Sequence, residues 1–174
     1  EWSAVAEHRT SYTSDAFQFS KARRLSFAED PSLPTGLDVE QEQDVIWEPS
    51  LELIRSFSTD ESELSIKGRG FLYTLNPIFN HADLRLQGKR NIGAHTSLLV
   101  RYRYVPNLFL GPNFERRTGQ RLIENERVTT HRGRMELEHR FTDRWRGTLV
   151  GRYGIRLFND AFAERDTKFW TLGP

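Results

Sequence analysis

The chain has no cysteine and only one methionine. Disulfide frameworks, thiolate metal centres and cysteine nucleophiles are therefore excluded. No run of about 18 apolar residues occurs, so a transmembrane helix is excluded as well. Net charge is almost absent: 25 Lys and Arg stand against 24 Asp and Glu, leaving +1 over 174 residues. So balanced a chain offers no bulk attraction for nucleic acid. The start, Glu1-Trp2-Ser3-Ala4, has neither a basic segment nor an apolar h-region. The expectation is a mature chain with its signal peptide removed, a cytoplasmic chain being the other reading.

Helical periodicity is also scarce, and alternation takes its place. In 62–74, Leu64, Ile66, Gly68, Gly70 and Leu72 alternate with Ser65, Lys67, Arg69, Phe71 and Tyr73. Leu84, Leu86 and Gly88 alternate with Asp83, Arg85, Gln87 and Lys89, and Leu98, Val100, Tyr102 and Tyr104 with Leu99, Arg101 and Arg103. In 127–141, His131, Gly133, Met135, Leu137, His139 and Phe141 face away from Arg132, Arg134, Glu136, Glu138 and Arg140. In 144–158, Trp145, Gly147, Leu149, Gly151, Tyr153, Ile155 and Leu157 face away from Arg146, Thr148, Val150, Arg152, Gly154, Arg156 and Phe158. A strand over 44–57 is interrupted by Pro49, which cannot donate to a ladder. One long strand is expected in 2–22, and an eighth begins at 167 and stops at Pro174. The chain reads as a single domain over 1–174.

The expected connections alternate in length. STDES (58–62), RNIGAHT (90–96) and TDR (142–144) are short. The polar stretch 23–43, LNPIFNH (75–81), the stretch 106–126 and NDAFAERD (159–166) are longer. Short turns at one end and long loops at the other are the habit of outer-membrane barrels. Glycines on the apolar face at 68, 70, 88, 133, 147 and 151 would leave a protein core underfilled, whereas lipid chains fill such gaps. Phe57, Phe141 and Trp145 flank short turns, and Tyr102, Tyr104 and Tyr153 lie nearer the other ends. That is where interfacial aromatics of a membrane barrel belong.

The hairpin HRFTDRWRGTLVGRY resembles those of Gram-negative outer-membrane β-barrel proteins, in which FTDRW-type turns recur. RSFSTDESELSIKGRGFLY has the same character, and the resemblance in style spans about 44–158. It implies an all-β, antiparallel, up-and-down transmembrane β-barrel in the bacterial outer membrane. About eight strands are visible, and more are expected beyond Pro174. Its neighbours would be the lipid bilayer, lipopolysaccharide and possible outer-membrane or periplasmic proteins. The expected role is passive, a porin-like pore or a structural, anchoring barrel. The alternative is a soluble all-β ligand- or carbohydrate-binding module, with Trp47, Trp145 and Trp170 as stacking platforms.

If the apolar face meets lipid, the polar face lines a lumen. It then carries Lys67, Arg69, Arg85, Lys89, Arg101, Arg103, Arg132, Arg134, Arg140, Arg146, Arg152 and Arg156. Against these twelve cations stand five carboxylates, Glu48, Glu52, Asp83, Glu136 and Glu138, a surplus of seven. Rings of Arg and Lys favour anions in an open pore. In a filled barrel the same residues would satisfy one another as Arg–carboxylate ladders. Arg55 falls on the apolar face near a strand end, from which it can snorkel to headgroups.

No catalytic set is legible, and neither an enzyme nor a cofactor is expected. His131 and His139 share a face but lie roughly 26 Å apart along a strand, too far to share a metal. His81 and Asp83 are one ligand pair where a site needs more. His95 and Ser97 sit at a turn with no third group to orient them. DVEQEQD (38–44) is an acidic stretch able to hold divalent cations, and more simply a solvated loop tip.

Overall fold

In the computed structural model, residues 1–14, 16, 43–58, 61–114 and 121–174 are described. Eight strands form one antiparallel sheet: β1 (Trp2–Thr13), β2 (Asp44–Phe57), β3 (Ser62–Tyr73), β4 (His81–Ile92), β5 (Thr96–Phe114), β6 (Arg121–Arg140), β7 (Arg146–Phe158) and β8 (Thr167–Gly173). Their spatial order is their chain order, so every strand pairs with its sequence neighbours. Such a meander needs only hairpin connections.

The expected barrel is corrected on one point. Among the described residues β1 pairs only with β2 and β8 only with β7, so the sheet is open, with no partner strand at either edge among those residues. Alternation specifies which face a residue takes. Closure depends on tilt and stagger accumulated over every strand, which alternation does not encode.

The register bears out the division into two faces. Directly opposed residues share a face. Leu53, Ile66, Leu86, Tyr102, Gly133, Tyr153 and Trp170 form one row from β2 to β8. Leu98, Leu137 and Leu149 form another. This face is uncovered: Leu51, Ile66, Val100, Met135 and Leu149 are each close to half exposed. No helix is long and apolar enough to cross a membrane, among the described residues.

One expected loop is strand instead. The segment 106–126 was expected to be a long connection, but β5 runs on to Phe114 and β6 starts at Arg121, giving strands of 19 and 20 residues. Three register shifts between Val105 and Phe114 break the period of two, which is why the pattern fades there. Asn107, at φ 49°, lies in this stretch. Strand β4 also extends past its clearest alternation, to His81 and Ile92. The first strand covers Trp2–Thr13; of the rest of the span expected for it, 15 and 17–22 lie outside the described residues, as do 23–42.

A small core forms at the loop end. Short helical turns at Pro77–Phe79 and Asp160–Arg165 flank the β5–β6 extension. Val105, Phe109, Val128 and Phe162 are buried there, and Phe79 meets Phe109 edge to face at 5.3 Å. Arg165 bonds Glu126 at 2.8 Å and lies over the Phe162 ring. At the opposite end, 93–95 and 141–145 make tight connections, and the pairing of β2 with β3 runs to Phe57 and Ser62. Gly93 has a φ of 71°, a conformation that glycine adopts without a Cβ clash.

Candidate functional site

Period-2 alternation across a consecutive meander gathers most charged residues of β1 to β7 on one face. Lys67, Arg69, Arg85, Lys89, Arg101, Arg103, Arg132, Arg134, Glu136, Glu138, Arg140, Arg146, Arg152 and Arg156 all fall there. The register adds Glu7, Arg9, Asp44, Glu63 and Glu126, four carboxylates and one cation, so among the described residues the surplus of seven becomes four. These five come from segments where alternation is weak or strand ends unclear.

The arginines are not scattered. Lys67 stands opposite Arg85, Arg85 opposite Arg103, and Arg103 opposite Arg132. One row over, Arg101 stands opposite Arg134, and Arg134 opposite Arg152. Opposed Cβ atoms in an antiparallel pair lie about 4.5–5.5 Å apart, and like charges there are destabilising. Alternation within one strand cannot reveal these rows, because they depend on register between strands.

Part of the repulsion is neutralised. Lys67 Nζ lies 3.2 Å from Glu52 and 3.5 Å from Glu7. Arg103 pairs with Asp83 at 2.8 Å, its Nε donating to both carboxylate oxygens at 3.0 Å. Arg134 pairs with Glu136 at 2.6 Å, and Arg101 Nε donates to Gln87 Oε1 at 2.9 Å. Arg146 lies 3.5 Å from Glu138. Arg85, Arg132, Arg152 and Arg156 have no carboxylate partner among the described residues, and all four are exposed. They line a groove of about 780 Å³, together with Arg101, Arg103 and Arg134.

Phe169 supplies the groove's aromatic element. It stands opposite Gly154, and its ring lies against that glycine so closely that a Cβ there would come within 2.1 Å of Phe169 Cζ. Arg132 and Arg156 lie 5.8 and 5.9 Å from the ring centroid. These cation–π contacts steer two guanidiniums that lack carboxylates. Phe169 was not singled out in the sequence, since its opposition to Gly154 is a matter of register.

The other expected groups are not drawn together. Trp47 lies on β2, Trp145 beside the 141–145 turn and Trp170 on β8, so no stacking platform joins them. His81 stacks on Phe71 with its Nδ1 2.8 Å from the Phe79 carbonyl, while Asp83 is engaged by Arg103. His131 and His139 bond separately, to the Tyr102 hydroxyl and to Thr96 Oγ1, each at 2.7 Å. His95 Nδ1 lies 3.3 Å from an Arg140 guanidinium nitrogen, and Ser97 stands opposite Glu138. Arg55 lies over the rings of Trp2 and Phe57, at 5.2 and 4.6 Å. Phe57, Phe141 and Trp145 stand at the tight-turn end and Tyr104 lies opposite His131, whereas Tyr102 and Tyr153 share the row through the middle of β4 and β7.

Most of the acidic stretch 38–44 lies outside the described residues, but its last member is corrected from solvated to buried. Asp44 Oδ1 accepts from the Thr74 amide and hydroxyl and the Leu75 amide, and Oδ2 from the amide and side chain of Asn76, at 2.7–3.0 Å. Burial pushes this carboxyl up, but the bonds from Leu75, Asn76 and Thr74 outweigh it and hold the group below the usual carboxylate range. Asp44 thus anchors the 74–76 bend to the loop end of β2, leaving no lone pair pattern suited to a cation.

Compared with protein-family models, curated proteins and solved structures, the chain matches none of them.

Proposed function

We propose that this chain forms part of a passive β-barrel of the bacterial outer membrane. Its apolar face meets lipid, and its arginine-bearing face lines a lumen that favours anions. The observation that carries the reading is the exposed apolar face, continuous from β2 to β8 and opposite a charged one. A protein in water would cover an apolar surface of this extent. A sheet with lipid on one side needs no cover.

A spanning sheet tolerates no open edge, because unpaired amides and carbonyls cost several kcal/mol each in hydrocarbon. The reading therefore requires further strands between β8 and β1, from the same polypeptide or from other copies. With those in place, a lumen bearing an excess of guanidinium groups concentrates anions.

The decisive experiment is extraction and reconstitution. The protein should require detergent and should change its gel mobility on heating. In planar bilayers under a salt gradient, its reversal potential should shift toward the anion. Dispersal as a soluble monomer without detergent would refute the membrane reading. An inserted barrel without conductance would leave a structural barrel and refute the pore.

A further inference from the structure

We propose that the groove around Arg85, Arg132, Arg152 and Arg156 is a fixed binding site for a small linear polyanion of phosphate type. The inference goes beyond the barrel reading. It needs only the cationic face, whether that face lines a lumen or meets solvent.

Three observations converge on it. The cross-strand rows place like charges side by side on β3 to β7, an arrangement that costs stability unless an anion intervenes. The protein's own carboxylates stop short: Asp83 takes Arg103 and Glu136 takes Arg134, while the four exposed guanidiniums have no carboxylate among the described residues. These four then open into one groove, with Thr167 and Thr171 also on its wall.

The geometry specifies the ligand's shape and charge. Neighbouring strands lie about 4.8 Å apart, so the way from Arg85 on β4 to Arg152 on β7 is roughly 14 Å. A chain of several oxyanions laid across the strands spans that distance, with each guanidinium fork meeting two oxygens. Phe169 is a positioning residue. Wedged against Gly154, it holds Arg132 and Arg156 beside its ring.

Calorimetric titration of the purified full chain, dispersed in detergent if it requires it, tests the site at fixed ionic strength. The probes are orthophosphate, tripolyphosphate, linear hexaphosphate and citrate. Saturable binding at one site per chain is expected, tightening from orthophosphate to hexaphosphate. Replacing Arg132→Gln together with Arg152→Gln should weaken tripolyphosphate binding at least tenfold. Arg144→Gln, in the exposed 141–145 turn, removes the same kind of charge elsewhere and should change it less than twofold. Arg132→Lys with Arg152→Lys keeps the charge but loses the forks, and should fall between. Gly154→Ala should displace Phe169 and weaken binding with every charge intact. Circular dichroism of each variant separates loss of the site from loss of the fold. Absence of saturable binding overturns the proposal, as does an equal loss in Arg144→Gln or tighter binding of citrate than of tripolyphosphate. A chain that needs no detergent yet binds tripolyphosphate would refute the barrel and leave this site standing.

Discussion

Single residues hold the ends of this sheet. Asp44 collects five hydrogen bonds from three consecutive residues, so removing its carboxylate leaves buried amides unpaired. Asp44→Ala should destabilise the loop end by about 1–3 kcal/mol, read as earlier proteolysis near 74–80. Because its folded pKa is depressed, the stabilisation is full above the unfolded value near pH 4 and is lost as pH falls through the folded value. The stability gap between wild type and Asp44→Asn should therefore stay constant above about pH 4 and narrow as pH falls from there through the folded value. At the other end, Gly93 occupies the left-handed region. Gly93→Ala meets no atom within 4 Å, so its cost is backbone strain alone, about 1 kcal/mol in urea unfolding. Neither role was visible in the sequence, where Asp44 looked like one more acid in DVEQEQD.

At the scale of elements, the β5–β6 hairpin differs from the rest. It carries the bulges and, with the two short helical turns, the buried aromatic cluster. Phe162 is 1% exposed, and Phe162→Ala should cost about 3–5 kcal/mol locally. Faster amide exchange in 159–166 and at the loop end of β6 would show it, with the middle of β6 and β7 unchanged. The faces of the strands make a second prediction. Single cysteines at 100, 137, 149 and 155 should be shielded by lipid or detergent, whereas those at 134, 136 and 152 should react with water-soluble reagents. Labelling at 149 but not at 152 would invert the faces, as a one-residue slip in register does.

At the scale of the molecule, the open sheet is the governing fact. Among the described residues, its edge strands β1 and β8 have no strand partner on their outer sides, and such edges recruit further strands. Cross-linking in native membranes should place β1 within reach of a strand other than β2, and β8 within reach of one other than β7. A β1 edge open to water-soluble probes along its whole length would contradict the closed barrel. The pore prediction belongs to this scale as well. Anion preference should fade in high salt, where screening shortens to roughly 3 Å at 1 M. Replacing Arg132, Arg134 and Arg152 together should reduce it further.

What the sequence determined by itself was local. Alternation with a period of two assigned the residues of 45–57, 62–74, 83–89, 98–104, 131–141 and 145–158 to their faces, and turn residues located short connections at 58–62, 90–96 and 142–144. It did so because each side chain's direction follows from its neighbours along one strand. It failed over 106–126, where bulges break that period, and at Asp44, whose partners lie some thirty residues away. Tertiary structure alone decided the rest: the opposed arginine rows, the wedging of Phe169 against Gly154, the aromatic cluster at the loop end and the open edges. All of these depend on register and stagger between strands, which are set by the packing of the whole sheet rather than by the order of residues within any one strand.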